Sequence, residues 1–377
     1  MRFPDDVPEL TDGVAALRAH RADDIEAVFE HCQDASMQRW TTIPVPYERG
    51  DAERFVTKTV PEGWVAETSR CWAIEYDGRY AGSISIRGGE AAGGEIGFAV
   101  APWARGNEVA TRAARLLIEH AFSAWGWDVV VWHAMVGNWA SRRVAWRLGF
   151  TGFSTARRAK IWRDEHVDVW TAALLRDEPR EPRGRWLDTP VLTGERVALR
   201  PVRDHDLDMI AEHWRDARTR HFLPHFRESY TREEAEEFVE RSREQAANGQ
   251  RITWSIAERE TGRGVGTLTM FRLEHDDGCA EVGYAVHPKA RGNGYVTDAL
   301  RTLIPYALGP DPSDPDGLRL RTLLIKTAAT NQAARRAAEQ AGFTMAGRLR
   351  QVSALLDGTI DDDVIYDLVR DDLKAAT

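Results

Sequence analysis

The chain contains one sequence twice, and this internal repeat constrains its fold more than any other feature. The offsets between matched segments are 182, 186 and 193 residues, and they increase along the chain. A single duplication followed by small insertions explains that order. The matched pairs are LTDGVAALR (10–18) with LTGERVALR (192–200), EIGFAVAPWARGNEVAT (95–111) with EVGYAVHPKARGNGYVT (281–297), and NWASRRVAWRLGF (138–150) with NQAARRAAEQAGF (331–343).

The duplication predicts two consecutive domains of one fold within the 377 residues. We expect these domains at 1–178 and 189–377. The polar, proline-bearing segment 179–188 between them is typical of a linker. The last increase in offset coincides with GPDPSDPDG (309–317), whose composition predicts a surface loop.

Each copy combines helical and strand patterns, which indicates an α/β unit with a mixed sheet. A short strand comes first, followed by helices that begin at aspartates. Asp77-Gly78 lies between two β-rich runs and predicts a hairpin. A central strand (95–101 or 281–287) then precedes the RGN segment and an apolar-periodic helix (110–122 or 296–307). A β-rich run, a helix that ends at Gly-Phe, and late strands close each copy.

Composition and charge argue against several classes of protein. No apolar run approaches the about 18–20 residues of a membrane-spanning helix, and residues 1–10 lack the apolar core of a secretory signal. The net charge of −9 argues against a nucleic-acid partner. Cys32, Cys71 and Cys279 are scattered, so they form neither a disulfide framework nor a metal-binding spacing. We therefore expect a cytoplasmic protein with no metal, no nucleic acid and no membrane partner.

The RGN segment lies between a predicted strand and a predicted helix. Backbone amides of a glycine-rich turn and the positive end of a helix converge there, and such an arrangement binds phosphate or pyrophosphate. Gly294 lets the backbone approach an anion, and Arg291 complements its charge. A purely structural turn is the alternative interpretation. Neither a P-loop nor a dinucleotide fingerprint is present, so nucleotide hydrolysis is not indicated.

Three features together resemble the GNAT acetyltransferase superfamily. They are an acidic residue on the central strand, R-x-x-G-x-[GAV] after it, and N-x-x-[SA]-x-R…GF about 35–40 residues later. The resemblance covers nearly all of both halves and is strongest to the branch that acetylates ribosomal-protein N-termini. It implies two consecutive GNAT-like acyl-CoA N-acyltransferase domains with an α/β (α+β mixed-sheet) fold.

The resemblance also implies acetyl-CoA as co-substrate. The RGN loop would hold its pyrophosphate, and the central strand would splay from its neighbour to pair with the pantetheine. First-copy counterparts of the implied contacts are Val100, Arg105 to Thr111, and Asn138. In the second copy the implied contacts are Val286, Arg291, Gly292, Asn293, Gly294, Tyr295, Val296, Thr297 and Asn331.

The implied reaction is direct attack of an amine on a thioester. A lysine-type amine has a pKa of about 10.4, so a base assists, and an acid can protonate the departing thiolate. Relatives use a carboxylate at the position of Glu95 and Glu281; a structural strand-end glutamate is the alternative. Ser141 corresponds to the acid of some relatives, whereas the second copy has Ala334 there. Tyr366 is a substitute acid or a core tyrosine.

Glu108 occupies the first-copy position that corresponds to Gly294. A carboxylate about 4 Å from a pyrophosphate would cost on the order of 1–4 kcal/mol, which is roughly a tenfold to thousandfold loss of affinity. The alternative is a carboxylate that turns outward and stabilises its own helix N-terminus. Both interpretations predict that the first domain is degenerate for CoA binding and that the second is catalytic.

The sequence therefore predicts an acetyl-CoA-dependent N-acetyltransferase that acts on a primary amine. The acceptor is a protein or peptide N-terminus or a small-molecule amine. One alternative is a non-catalytic CoA-binding sensor or scaffold, and another is that both domains act on different substrates. We expect either a monomer with an intrachain pseudo-dimer or a homodimer.

Overall fold

Two compact units make up the chain, Met1–Arg183 and Gly184–Thr377. The division falls inside the segment 179–188 that the sequence predicts as a linker. The core of the second unit reaches into that segment, because Leu187 is buried there and donates its backbone N–H to the carbonyl of Ala246 at 2.9 Å. The computed structural model describes residues 7–89, 93–275, 277–309 and 317–374.

Two sequence-based expectations concern residues that lie partly or wholly outside this description. The predicted loop at 309–317 falls mainly on 310–316, and the segment 1–10 includes 1–6.

The first unit is an eight-stranded sheet with helices, in the strand order β1-β2-β3-β4-β5-β6-β8-β7. Neighbouring strands are antiparallel except for β5 and β6. A π-helical turn at Phe55–Thr59 joins α3 to α4. The strands are β1 (Leu10–Thr11), β2 (Ala15–Arg18), β3 (Arg70–Tyr76), β4 (Arg79–Gly89), β5 (Gly93–Val100), β6 (Val129–Met135), β7 (Thr151–Trp162) and β8 (Glu165–Leu175). The helices are α1 (Ile25–Cys32), α2 (Ala35–Trp40), α3 (Arg49–Arg54), α4 (Val60–Val65), α5 (Val109–Ser123) and α6 (Trp139–Arg147).

The second unit repeats this topology, with β15-β16-β14-β13-β12-β11-β10-β9 as its strand order. The only parallel pair within its described residues is again the central one, β13 with β14. Its strands are β9 (Leu192–Thr193), β10 (Val197–Arg200), β11 (Ile252–Glu258), β12 (Gly264–Phe271), β13 (Cys279–Val286), β14 (Thr322–Ala328), β15 (Thr344–Ala354) and β16 (Ile360–Val369). Its helices are α7 (Leu207–Arg215), α8 (Ala217–Phe222), α9 (Arg232–Ala247), α10 (Tyr295–Leu308), α11 (Gln332–Gln340) and α12 (Arg370–Lys374).

Local sequence accounts for the main elements. Asp77 and Gly78 both have positive φ, 52° and 66°, which is the backbone of the two-residue hairpin turn that this dipeptide predicts. Thr231 and Glu234 form a reciprocal capping box at the start of α9. Gly149 and Gly342, with φ of 85° and 99°, follow the ends of α6 and α11 as predicted.

The central parallel strands separate part of the way along their length. The ladder joins Cys279, Ala280 and Glu281 of β13 to β14 and then ends. The other edge of β13 stays paired with β12 as far as Val286. A cleft therefore opens beside β13 after Glu281, as the resemblance implies.

Helix α10 is fixed at this cleft by a buried carboxylate. Asp298 Oδ2 accepts the backbone N–H groups of Arg196 and Val197 at 2.8 and 2.9 Å. Ala299, Leu300 and Leu303 on the same helix are fully buried in the core of the unit. The helix N-terminus is thus held at a fixed place relative to β10 and β13.

No described helix has both the length and the apolarity that a bilayer crossing requires. Within the same ranges, no group of three or more His, Cys, Asp or Glu side chains is placed to hold a metal ion.

Candidate active site

The RGN loop of the second unit has the backbone of an anion-binding turn. Gly294 is the N-cap residue of α10 and adopts a left-handed conformation, with φ of 74° and ψ of 6°. Gly292 also has positive φ, 80°. Side-chain-bearing residues rarely adopt this backbone, so the conformation explains the glycines. It leaves the first amides of α10 without a capping side chain, and such amides favour an anion.

A positive charge lies at this loop that sequence reasoning missed. Arg196 donates from Nη1 to the carbonyl of Asn293 at 2.7 Å. The first copy has Val14 at the corresponding repeat position. Only the second loop therefore combines the glycine turn with this guanidinium.

The first loop keeps the same backbone despite its different residue. Glu108 is the N-cap of α5 with φ of 57° and ψ of 9°, so a glutamate occupies a left-handed position. Its carboxylate makes no capping hydrogen bond, so any stabilisation that it gives to the helix N-terminus is electrostatic. The carboxylate instead lies 3.6 Å from Arg147 Nη1 on α6.

Arg291, expected to complement a phosphate charge, is held by the protein itself. Its Nη2 contacts Asp216 Oδ2 and donates to Thr219 Oγ1 at 3.0 Å. The first copy repeats this arrangement, with Arg105 paired to Asp34. The arginine therefore ties the loop to the N-terminus of α8 or α2, and part of its charge is already neutralised.

The other predicted cofactor residues converge on one cavity of about 1160 Å³ in the second unit. Asn293 is the exception, because its side chain donates to the loop carbonyls of Ala290 and Arg291. The residues of the predicted set that line the cavity are Val286, Arg291, Gly292, Gly294, Tyr295, Val296, Thr297 and Asn331.

The predicted asparagines are helix N-caps in both units. Asn331 Oδ1 accepts the N–H of Ala334 at 3.3 Å, and Asn138 Oδ1 accepts that of Ser141 at 3.2 Å. The Asn331 amide nitrogen makes no hydrogen bond within the described ranges, and the residue lines the cavity. It therefore has an N–H donor to offer to a ligand in the cleft.

Glu281 lies at the point where the parallel strands separate. It lines the cavity, and its Oε2 is 3.3 Å from Lys326 Nζ on the neighbouring strand. The antiparallel partner of Glu281 is Phe271, which carries no charge. Glu281 thus has one cationic neighbour and an apolar one.

Glu95 has more polar side-chain neighbours than Glu281. It pairs in register with Arg87, whose Nη1 lies 3.7 Å from Glu95 Oε1. His133 Nδ1 lies 3.4 Å from the other carboxylate oxygen. Each oxygen of the Glu95 carboxylate therefore has a polar side chain beside it, Arg87 at Oε1 and His133 at Oε2.

The candidate acids differ between the units. Ser141 Oγ accepts a hydrogen bond from Trp132 Nε1 at 3.0 Å, which leaves its own proton free to donate. Tyr366 is fully buried and donates to Glu339 Oε1 at 2.7 Å, which favours the core interpretation over the acid interpretation. Tyr284, which sequence reasoning missed, lines the cavity and donates from Oη to the carbonyl of Ala334 at 2.9 Å.

Tyr284 therefore brings a hydroxyl to the turn of helix where the first copy has Ser141. Burial, with a smaller contribution from Tyr366, raises the pKa of Tyr284, so the phenol stays protonated at neutral pH. Comparing the two copies offers the one sequence signal for this residue, because the first has Phe98 at the same strand position.

Aromatic side chains also line the cavity. Phe222 and Phe226 are among them, and the ring of Phe226 stacks on Trp214 with centroids 3.9 Å apart. Phe222 and Phe226 lie in the segment TRHFLPHFRESYT (219–231). Arg251 and Phe271 lie at the same cavity, with the guanidinium carbon 4.9 Å from the ring centroid.

A comparison with protein-family models identifies the family of both halves. The family model described as "Acetyltransferase (GNAT) domain" matches residues 15–151 and 196–344. One match falls in each unit, and together they span well over half of the chain.

Individual relatives align with about one half of the chain. The "Uncharacterized N-acetyltransferase YoaA" of Bacillus subtilis is 26% identical over 182 residues, which is 48% of this chain and 97% of that protein. Among solved structures, the RimL ribosomal L7/L12 α-N-protein acetyltransferase with coenzyme A is 18% identical, with coverages of 45% and 98% and a TM-score of 0.41. Mycobacterium smegmatis RimJ with CoA-disulfide is 21% identical, with coverages of 49% and 90% and a TM-score of 0.42. The chain belongs to the GNAT family of acetyltransferases, with one such domain in each half.

Proposed function

We propose that the second domain transfers the acetyl group of acetyl-CoA to a primary amine, with Glu281 as general base. The observation that carries this proposal is that the glycine loop, the cleft beside β13 and Glu281 all open onto one cavity. The acceptor is a peptide N-terminus or a small-molecule amine. A cytoplasmic location fits the three cysteines, which are free thiols.

The residues present suit acetyl-CoA as the acyl donor. The left-handed turn at Gly294 and the uncapped amides of α10 suit a pyrophosphate. The cleft leaves one edge of β13 without strand partners after Glu281, so its backbone groups are available to the amides of a pantetheine chain. The Asn331 amide faces the same cleft.

In the proposed reaction, Glu281 acts as the base and Tyr284 acts as the acid. Glu281 accepts a proton from the ammonium, and the freed lone pair forms the new C–N bond at the thioester carbonyl. The C–S bond then breaks, and the sulfur leaves as a thiolate. Tyr284 turns its hydroxyl from the Ala334 carbonyl to the sulfur and supplies the proton. The nitrogen, now bonded to the acetyl carbon, loses its second proton through solvent to the Tyr284 phenolate, and Glu281 returns its proton to solvent, so that both side chains regain their starting states.

The first domain is proposed to be non-catalytic. Glu108 places a carboxylate beside its loop, and Arg87 and His133 flank Glu95. Glu95 and Ser141, which the sequence offers as catalytic candidates, would then act only if this domain also turned over acetyl-CoA.

The test is release of CoA thiol by the full chain with a panel of amines, compared with Glu281→Gln. Loss of the base should lower kcat by about 10²–10⁴-fold and leave the Kd for acetyl-CoA within about twofold. Glu95→Gln is the matched control and should keep wild-type turnover. An unchanged rate in Glu281→Gln would remove Glu281 from the base role. Acetyl-CoA binding without transfer to any amine would favour the sensor alternative.

A further inference from the structure

Arg251 offers an unpaired positive charge to the cavity of the second domain. It lines that cavity, and no carboxylate among the described residues lies within ion-pair distance of its guanidinium. Burial and, through space, the cation of Arg241 lower the pKa of Arg251 more than the carboxylate of Glu274 raises it, and Glu274 lies 3.5 Å from His275. Among the other arginines that line the cavity, Arg291 pairs with Asp216, whereas Arg218 and Arg336 have no ion pair within the described residues.

The position of Arg251 relative to Glu281 is set by strand register. Arg251 precedes Ile252, the first residue of β11, which pairs with Met270. Phe271, the next residue of β12, pairs with Glu281. The backbones of Arg251 and Glu281 are thus two strand spacings apart, about 10 Å.

Phe271 lies between these two charges and holds the arginine in place. The guanidinium stacks over its ring, a favourable cation–π arrangement. The ring also covers Gly283, since a Cβ there would come within 2.8 Å of Phe271 Cε2. A residue larger than glycine would displace this ring, so Gly283 permits the stack.

Threonine side chains lie on the same face of the sheet, next to the stacked Arg251 and Phe271. Thr267 and Thr269 are buried and line the cavity, and Thr253 Oγ1 and Thr269 Oγ1 are 3.1 Å apart. The guanidinium of Arg251 and the carboxylate of Glu281 therefore lie two strands apart, and the strand between them carries threonine hydroxyl groups and the Phe271 ring.

We propose that the acceptor of the second domain is a zwitterionic amine, whose oxyanion binds Arg251 while its amine faces Glu281. This inference rests on the proposed acetyl transfer and narrows its substrate class. A planar guanidinium binds carboxylate or phosphate through two parallel hydrogen bonds. The negative charge of Glu281 favours the ammonium end and disfavours the reversed orientation.

Matched pairs of amines test this assignment. Phenylalanylglycine is compared with its C-terminal amide, and O-phosphoethanolamine with ethanolamine, so that the two pairs distinguish carboxylate from phosphate. For at least one pair, kcat/KM of the full chain should be about 10–100-fold higher for the anionic member, the range of a charge-assisted hydrogen bond. Ratios near one for both pairs would overturn the proposal.

Variants show whether Arg251 is the cause of the preference. Arg251→Met should reduce the ratio to about one while the neutral member keeps its rate, and Arg251→Lys should retain part of the ratio. Arg272→Gln is the control, because this exposed arginine is adjacent to Phe271 but does not line the cavity. A preference that survives Arg251→Met contradicts the assignment, and thermal denaturation checks that each variant is folded.

A binding measurement separates this inference from the proposed function. Calorimetry with CoA-saturated protein compares N-acetyl-phenylalanylglycine with its C-terminal amide. Tighter, Arg251-dependent binding of the acid without turnover of any amine would support the anion site and refute the transfer reaction. Turnover without any preference for anionic members would support the reaction and refute the anion site.

Discussion

At the scale of single residues, the two RGN loops share a backbone but differ in chemistry. Gly294 and Glu108 have nearly the same left-handed dihedral angles. For an L-residue with a side chain this conformation costs about 1–2 kcal/mol. The glutamate tolerates that strain because the surrounding strand and helix fix the turn.

Glu108→Gly should therefore stabilise the first unit. Relief of the left-handed strain outweighs loss of the exposed contact with Arg147, because surface ion pairs contribute little. The expected gain of about 1 kcal/mol corresponds to a Tm increase of about 2–4 °C for a unit of this size, measured by calorimetric melting. Glu108→Ala keeps the positive φ and serves as the control; an equal increase there would point to charge rather than strain.

Tyr284→Phe tests the proposed acid with a residue that the first copy already uses at that position. The ring is kept and the hydroxyl is lost, so kcat should fall by about 10²-fold while KM for acetyl-CoA changes little. The loss should shrink with an acyl donor whose thiol is more acidic, because its thiolate needs less protonation. A loss of equal size for both donors would indicate a structural hydroxyl.

At the scale of elements, each unit joins its second strand to its first α-helix through a buried ion pair. Asp206 accepts from Arg200 Nη1 at 2.6 Å and from the N–H of Arg203 at 2.9 Å. Arg18 and Asp24 repeat the pair in the first unit at 2.8 Å. Its presence in both copies indicates that the pair fixes β10 against α7, and β2 against α1.

The pair makes stability dependent on pH. Burial by itself would raise the pKa of Asp206, but the hydrogen bonds from Arg200 and Arg203 outweigh it and hold that pKa below its usual value. The stabilisation is complete above the unfolded pKa of about 4 and is lost as pH falls through the lower folded pKa.

Asp206→Asn should destabilise the second unit by about 3–5 kcal/mol at pH 7, since it leaves Arg200 buried without a charge partner. Urea unfolding at pH 7 and pH 3 checks this, with a smaller difference between mutant and wild type at pH 3. Asp204→Asn is the matched control, because that carboxylate is exposed. A difference that does not change with pH would contradict the electrostatic origin.

At the scale of the whole molecule, we expect the two copies of the domain to differ in acetyl-CoA binding. Calorimetry of the full chain should detect one acetyl-CoA site, since only the second loop combines Gly294 with Arg196. Gly294→Glu should weaken that site at least tenfold through repulsion of the pyrophosphate, whereas Gly106→Glu should leave it unchanged. Two sites of similar affinity would refute this division between the domains.

The sequence predicted the fold well wherever the signal was local. The Asp77-Gly78 turn and the glycines after α6 and α11 require specific dihedral angles, so their residues identify them. The roles of Tyr284 and Tyr366 could not be assigned in this way. Both are tyrosines on strands of one sheet, and only the packing shows that Tyr284 faces the cavity while Tyr366 is enclosed in the core.

By itself the sequence determined two copies of one α/β unit, a glycine turn before a helix in the second, and an acidic residue on the strand before it. Such features depend on backbone preference and periodicity, which act over a few residues. The tertiary structure decided which side chains share the cavity. Arg251, Phe271 and Glu281 lie 10 to 30 positions apart in the chain, and they meet because strand register places them side by side.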